Sequence, residues 1–182
     1  MADVTDMPLT DHHAIAESEV GMAQDTLSAI IDGAIPKGDV LSVAELAGVM
    51  AGKRAADVIP LVHPAGLTQL VVNATPDRAA SAVKIRVETA AIGPTGVEME
   101  ALTAAAVAAL TVYDMIRDVE PGALVRGVRL ISSSSGGVEV WRRMGEPAEP
   151  QRLVKGVRTA GRIIPAPRGG VPFVPGQRKR NP

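Results

Sequence analysis

Cysteine is absent from all 182 residues, which excludes disulfides, thiolate nucleophiles and cysteine-ligated metals. Histidine is scarce as well: there are three, two of them adjacent as His12 and His13, which argues against a zinc site built by the protein alone. No stretch approaches eighteen uncharged apolar residues, and the opening MADVTDMPLTDHH has neither a basic segment nor an apolar one. Neither a membrane span nor a signal peptide is therefore expected, and the expected location is cytoplasmic.

Hydrophobic residues make up 46% of the chain, enough for a substantial core in one domain with an appendage. The boundary falls near residue 146. Residues 147–182 carry eight basic residues against one acid, half of all the prolines, and a single aromatic, Phe173. Such a segment reads as an extended, loosely docked or disordered tail. Its terminal QRKR could meet an acidic partner, but no aromatics interleave with it to stack bases, so nucleic acid is not an expected partner.

The body, residues 1–146, is organised around Thr95 to Val119, TGVEMEALTAAAVAALTVYDMIRDV. Thr95 and Glu98 have the spacing of a capping box, so a helix is expected to start there. Its alanines favour helix and a close approach of neighbours, while Leu102, Val107, Leu110, Val112, Met115 and Ile116 surround it with apolar bulk. A core helix does not need Glu98 and Glu100 in its first turn or Asp114 and Arg117 in its last. These charges read either as functional groups or as dipole-matched acids and an i,i+3 ion pair.

Earlier in the chain, Ala14 to Val20 has a weak period of two and reads as an edge strand. Ala23 to Ile31 reads as a short helix stopped by Asp32 and Gly33. Pro36-Lys37-Gly38 is a turn, and Asp39 caps a second helix from Val40 to about Asp57, with Val43, Leu46, Ala47, Met50 and Ala51 as its apolar stripe and Lys53 towards its end. Two prolines make Ile59 to Gly66 a rigid connection that exposes His63. Leu67 to Asn73 and Val83 to Ala91 read as an antiparallel hairpin. After the central helix come a Pro121-Gly122 turn, a strand from Val125 to Ile131, SSSSGG as a flexible loop, and a last short strand from Val138 to Trp141. This order gives an α+β class, helices on one face of an antiparallel sheet.

PKGDV (Pro36 to Val40), AGKRAADVIPLVHP (Ala51 to Pro64), TGVEMEALTAAAVAALTVYDMI (Thr95 to Ile116) and VRLI (Val128 to Ile131) together resemble the cyclic pyranopterin monophosphate synthase family, molybdenum cofactor biosynthesis protein C, over roughly Asp25 to Leu130. The resemblance implies a ferredoxin-like subunit in a hexamer, a trimer of dimers, with active sites between subunits. It implies a lyase reaction: a small-molecule nucleotide substrate, the cyclised dihydro-GTP, becomes cyclic pyranopterin monophosphate and pyrophosphate. No cofactor is required, although a divalent metal could accompany the triphosphate. Carried over position by position, Lys37, Asp114 and Arg117 would be catalytic, and Lys53, His63, Glu98 and Glu100 would bind substrate.

The chemistry suits such a set, because ring opening and closure need several proton transfers and pyrophosphate needs cations around it. Lys37, in a turn before a helix N-terminus, could meet an anion together with free amides; taken alone, it is an exposed turn lysine and His63 a loop histidine. The resemblance also has gaps. Arg117 stands where the family has a catalytic lysine; it keeps the charge but does not release a proton near neutral pH. Met7 and His12 fall where a lysine and an arginine are usual, Val62 replaces a cysteine, and Ser134, Ser135, Gly136, Gly137 and Val138 occupy a loop usually flanked by lysines. A working synthase, a non-catalytic paralogue that keeps the scaffold, and the same fold acting on another nucleoside triphosphate are the three readings these residues leave open. Glu100 and Asp114 lie about 21 Å apart along one helix at 1.5 Å per residue, so a pocket using both needs a second copy of the chain.

Overall fold

The computed structural model describes residues 1–146, a compact unit. The tail expected over 147–182 lies outside the described residues. Nine elements follow in order: strand β1 (Thr10–Gly21), helices α1 (Gln24–Ile31), α2 (Val40–Gly52) and α3 (Ala55–Val58), strands β2 (Leu67–Asp77) and β3 (Ala82–Gly93), helix α4 (Glu98–Ile116), and strands β4 (Leu124–Ser135) and β5 (Val138–Arg142). The sheet is antiparallel with order β2-β3-β1-β4-β5. This is an α+β, ferredoxin-like arrangement: β3 sits between the parallel pair β1 and β2, and β1 sits between β3 and β4.

The first strand is therefore central, not an edge as its weak pattern suggested. His12, Ala14, Ala16, Ser18 and Val20 are buried on its helix side, and the Ser18 hydroxyl donates to the Ala105 carbonyl of α4 at 2.8 Å. Small residues on this face let the alanine-rich α4 lie close to the sheet. On the outer face Glu17 accepts from Arg86 at 2.8 Å and Arg129 at 3.1 Å, and Glu19 accepts from Arg126 at 2.7 Å. A central strand with Ala and Ser inside and cross-strand ion pairs outside has little hydropathic contrast, which is why it resembled an edge.

α2 departs from expectation in two ways. It ends at Gly52 rather than near Asp57: the Arg54 amide bonds the Ala51 carbonyl in a tight turn, and α3 resumes separately. Its stripe also points the other way. Val43, Leu46 and Met50 are 43%, 61% and 51% exposed, whereas Val40, Ala44, Gly48 and Gly52 are buried. A Cβ on Gly48 would lie 3.1 Å from the Ala104 carbonyl oxygen, and one on Gly52 3.2 Å from that of Glu100. The inner face is thus the small-residue face, chosen by close backbone approach to α4 rather than by hydropathy. These pairings also fix α2 and α4 as antiparallel.

The Asp39 cap forms as expected, its carboxylate accepting from the Ser42 amide at 3.0 Å and the Ser42 hydroxyl at 2.6 Å. The capping box at Thr95 does not. α4 starts at Glu98 behind Val97, which is wholly buried and whose carbonyl accepts from Thr89 Oγ1 at 3.1 Å; burying Val97 sets the start two residues later than Thr95 would. α4 ends at Ile116, short of Val119. By length and composition it could cross a membrane, with a mean hydropathy of 1.4, yet half of it is buried against α2 and the sheet as the core helix.

The β2–β3 hairpin forms with longer strands than expected, and Glu45 of α2 covers the free edge by accepting from the Ala74 amide at 2.9 Å. The expected serine loop is corrected. Ser132 to Ser135 are β4, paired with Ile15 to His12 of β1, and only Gly136 and Gly137, at φ +59° and +75°, form the turn into β5. Tertiary pairing overrides the loop preference of serine.

Candidate functional site

Helix α4 carries charged groups at both ends, and α2 runs alongside it in the opposite direction. Each end of the helix pair therefore gathers its own set.

At the C-terminal end of α4 stands Lys37, in the turn before α2. Ile35 and Val40 are buried on either side of it, and Gly38 turns the chain with φ +102°. The ammonium donates to the Asp114 main-chain carbonyl at 2.5 Å and lies 3.6 Å from the Asp114 carboxylate and 3.4 Å from that of Asp118. Arg117 Nε reaches the other Asp114 oxygen at 3.2 Å. Cations at a helix C-terminus also meet the negative end of the dipole. The structure thus brings Lys37, Asp114 and Arg117 together. Asp118 is the residue the sequence reading missed, although its i,i+4 spacing from Asp114 placed it on the same side.

At the N-terminal end lie Glu98 and Glu100, beside the last turn of α2, which ends at Gly52. Glu100 is 3% exposed and its Oε2 has no hydrogen-bond partner. Burial pushes its carboxyl above the ordinary range; its own main-chain amide opposes that, and the Glu98 carboxylate adds to it. Lys53 is exposed at the C-cap of α2. His63, half-buried rather than fully exposed, lies in the connection to β2, whose Leu67 pairs with Ala91 near the strand end that feeds α4. Among the described residues no ion pair joins Lys53, His63, Glu98 and Glu100 to one another.

Of the residues standing at unusual positions, His12 is buried, its Nε2 2.9 Å from Thr10 Oγ1 and 3.2 Å from the Gly93 carbonyl. It packs between the start of β1 and the end of β3. Ser134 and Ser135 belong to β4.

The chain matches the model of the MoaC family over residues 1–137. It belongs to the MoaC family. Relatives of this MoaC chain include a cyclic pyranopterin monophosphate synthase of Rhodospirillum rubrum, 50% identical over 141 residues, covering 78% of this chain and 85% of the relative. One from Chloroflexus aggregans is 47% identical over 143 residues, 79% and 87% of the two chains. One from Cereibacter sphaeroides is 46% identical over 136 residues, 75% and 86%. Within this MoaC chain the two charged ends of α4 are separate: one holds two cations and two carboxylates, a set able to meet a phosphate and to move a proton, and the other holds the buried acid Glu100 beside the end of α2, where Lys53 is the C-cap.

Proposed function

We propose that the protein is a cyclic pyranopterin monophosphate synthase of molybdenum cofactor biosynthesis, a lyase that converts 3',8-cyclo-7,8-dihydroguanosine 5'-triphosphate to cyclic pyranopterin monophosphate and pyrophosphate. The observation that carries this reading is the Lys37 ammonium held at 2.5 Å on Asp114 in a chain of this family. Lys37 and Asp114 move protons, and Arg117 anchors a substrate phosphate with a planar fork of donors. Lys53, His63, Glu98 and Glu100 bind the base and the remaining phosphates. No resident cofactor is part of this reading, and a divalent ion would enter only with the triphosphate.

The two sets are too far apart along α4 to share a small ligand, about 21 Å between Glu100 and Asp114. Each pocket is then built from two copies, in a cytoplasmic hexamer assembled as a trimer of dimers. The exposed Val43, Leu46 and Met50 on α2 support an assembly that covers them. Incubation with the cyclised intermediate tests the activity: product pterin and pyrophosphate are expected, and no product at micromolar enzyme refutes the reading.

A second reading, a non-catalytic paralogue on the same scaffold, rests on Arg117, whose guanidinium does not give up a proton near neutral pH. The names of the relatives do not favour it. Activity gained only on Arg117→Lys would.

A further inference from the structure

We infer that Asp118 is a built-in counterion of Lys37 that a substrate phosphate must displace, and so sets the affinity and release of polyanions at this end of the site. The inference rests on the proposed reading of Lys37 as a group that faces the substrate.

An ammonium has three N–H donors. Here three acceptors surround Lys37 Nζ, two from the last turn of α4 and one from just beyond it: the Asp114 carbonyl at 2.5 Å, Asp118 Oδ2 at 3.4 Å and Asp114 Oδ2 at 3.6 Å. They are not equivalent. The carbonyl is fixed by the helix, and the Asp114 carboxylate is also held by Arg117 at 3.2 Å. Asp118 lies past the helix end, and its side chain is 71% exposed against 58% for Asp114. An incoming phosphate therefore displaces the Asp118 carboxylate most readily. The charges agree: Lys37 and Arg117 are matched by Asp114 and Asp118, so the unliganded cluster is neutral, and displacing Asp118 exposes a net positive site to the anion. Losing Asp118 leaves Lys37 still located by the carbonyl and by Asp114, so the ammonium is freed rather than misplaced.

Titration calorimetry with inorganic pyrophosphate on the full-length protein tests this without turnover. Asp118→Asn is expected to bind pyrophosphate about two- to fivefold more tightly, the range of an exposed ion pair, with a gain that fades at high salt. Asp118→Glu should stay near wild type. In a Lys37→Met background the gain from Asp118→Asn should largely vanish, since the competitor no longer has a cation to cover. Weaker or unchanged binding in Asp118→Asn overturns the inference, as does the same gain in both backgrounds, which would mark a general field effect. With the cyclised intermediate, Asp118→Asn should lower KM and kcat together, because pyrophosphate leaves more slowly. An inactive wild type with the expected pyrophosphate pattern would refute the proposed activity and leave the role of Asp118 standing.

Discussion

The Lys37 ammonium sits 2.5 Å from the main-chain carbonyl of Asp114, seventy-seven residues away in sequence, and ties the turn before α2 to the last turn of α4. Because α2 and α4 are antiparallel and pack through Gly48 and Gly52, the position of this lysine is set by how closely two helix backbones approach. Packing and chemistry are thereby coupled.

Arg117 decides how the cluster works. Its guanidinium contacts Asp114 at 3.2 Å, and in the proposed reading it anchors a phosphate while Lys37 moves the proton. Removing one charged hydrogen bond to a phosphate costs about 1.5–3 kcal/mol, so Arg117→Ala should raise KM for the cyclised intermediate roughly tenfold or more, with a smaller effect on kcat. Arg117→Lys should keep turnover within a few-fold of wild type. Steady-state kinetics on the two variants checks this; a large gain of activity in Arg117→Lys would instead point to the non-catalytic paralogue.

The buried carboxyl of Glu100 makes stability depend on pH in a defined direction. Burial raises its pKa above the ordinary 4.5, so the folded protein holds this proton more tightly than the unfolded chain does. Stability is accordingly lost as pH rises from the unfolded value through the folded one. The isosteric Glu100→Gln cannot ionise, and above that window it should be more stable than wild type, because only the wild-type side chain gives up stability when the proton it holds more tightly in the folded state is lost. At about pH 4 the difference should disappear, because both side chains are then neutral. Melting temperatures at the two ends of the range measure it; a variant less stable than wild type at neutral pH would mean that the carboxylate has a partner in the assembled protein.

Much of this was legible in the sequence, and the gaps have physical causes. Asp39 and Ser42 announce a helix start by a local interaction, and the β2–β3 hairpin by local pattern. That Lys37 and Asp114 were both expected at the site came from the family resemblance and not from spacing, and their contact was not legible, since nothing local links residues so distant. What failed was decided by tertiary contact. β1 hides its central place because Glu17 and Glu19 on its outer face are answered by arginines on neighbouring strands. Ser132 to Ser135 form a strand because β1 supplies their partners. The stripe on α2 pointed to the wrong face because Gly48 and Gly52 are selected for thinness, which a hydropathy pattern does not register.

That thinness gives a direct test. A Cβ on Gly48 would meet the Ala104 carbonyl oxygen at 3.1 Å and the two Val72 methyls at 3.1 and 3.2 Å, neighbours that are main chain or β-branched and yield little. Gly48→Ala gains up to about 1 kcal/mol of helix propensity but incurs about 1–3 kcal/mol of overpacking. The expected net result is a protein destabilised by about 1 kcal/mol, seen as a lower urea midpoint with an unchanged slope. A more stable variant would show that the two helices can separate without cost.

The proposed sharing of the site between copies has the sharpest consequence. Asp114→Asn should abolish activity at one end of α4, and Glu100→Gln should impair it at the other, so each variant alone is expected to have little turnover. If one pocket takes Glu100 from one subunit and Asp114 from another, subunits exchanged at random place both native residues in about one site in four. Dissociating and reassociating an equimolar mixture should then recover about a quarter of the wild-type rate, while mixing without exchange should recover none. A pocket built within one subunit would gain nothing under either condition. Leu46→Glu, which puts a charge on the exposed face of α2, should lower the oligomeric state by sedimentation and remove activity with it, because a separated subunit keeps Lys37 and Asp114 but loses the partner copy's acids and histidine. Full activity in a monomeric Leu46→Glu variant would show that the two ends of α4 never needed to meet.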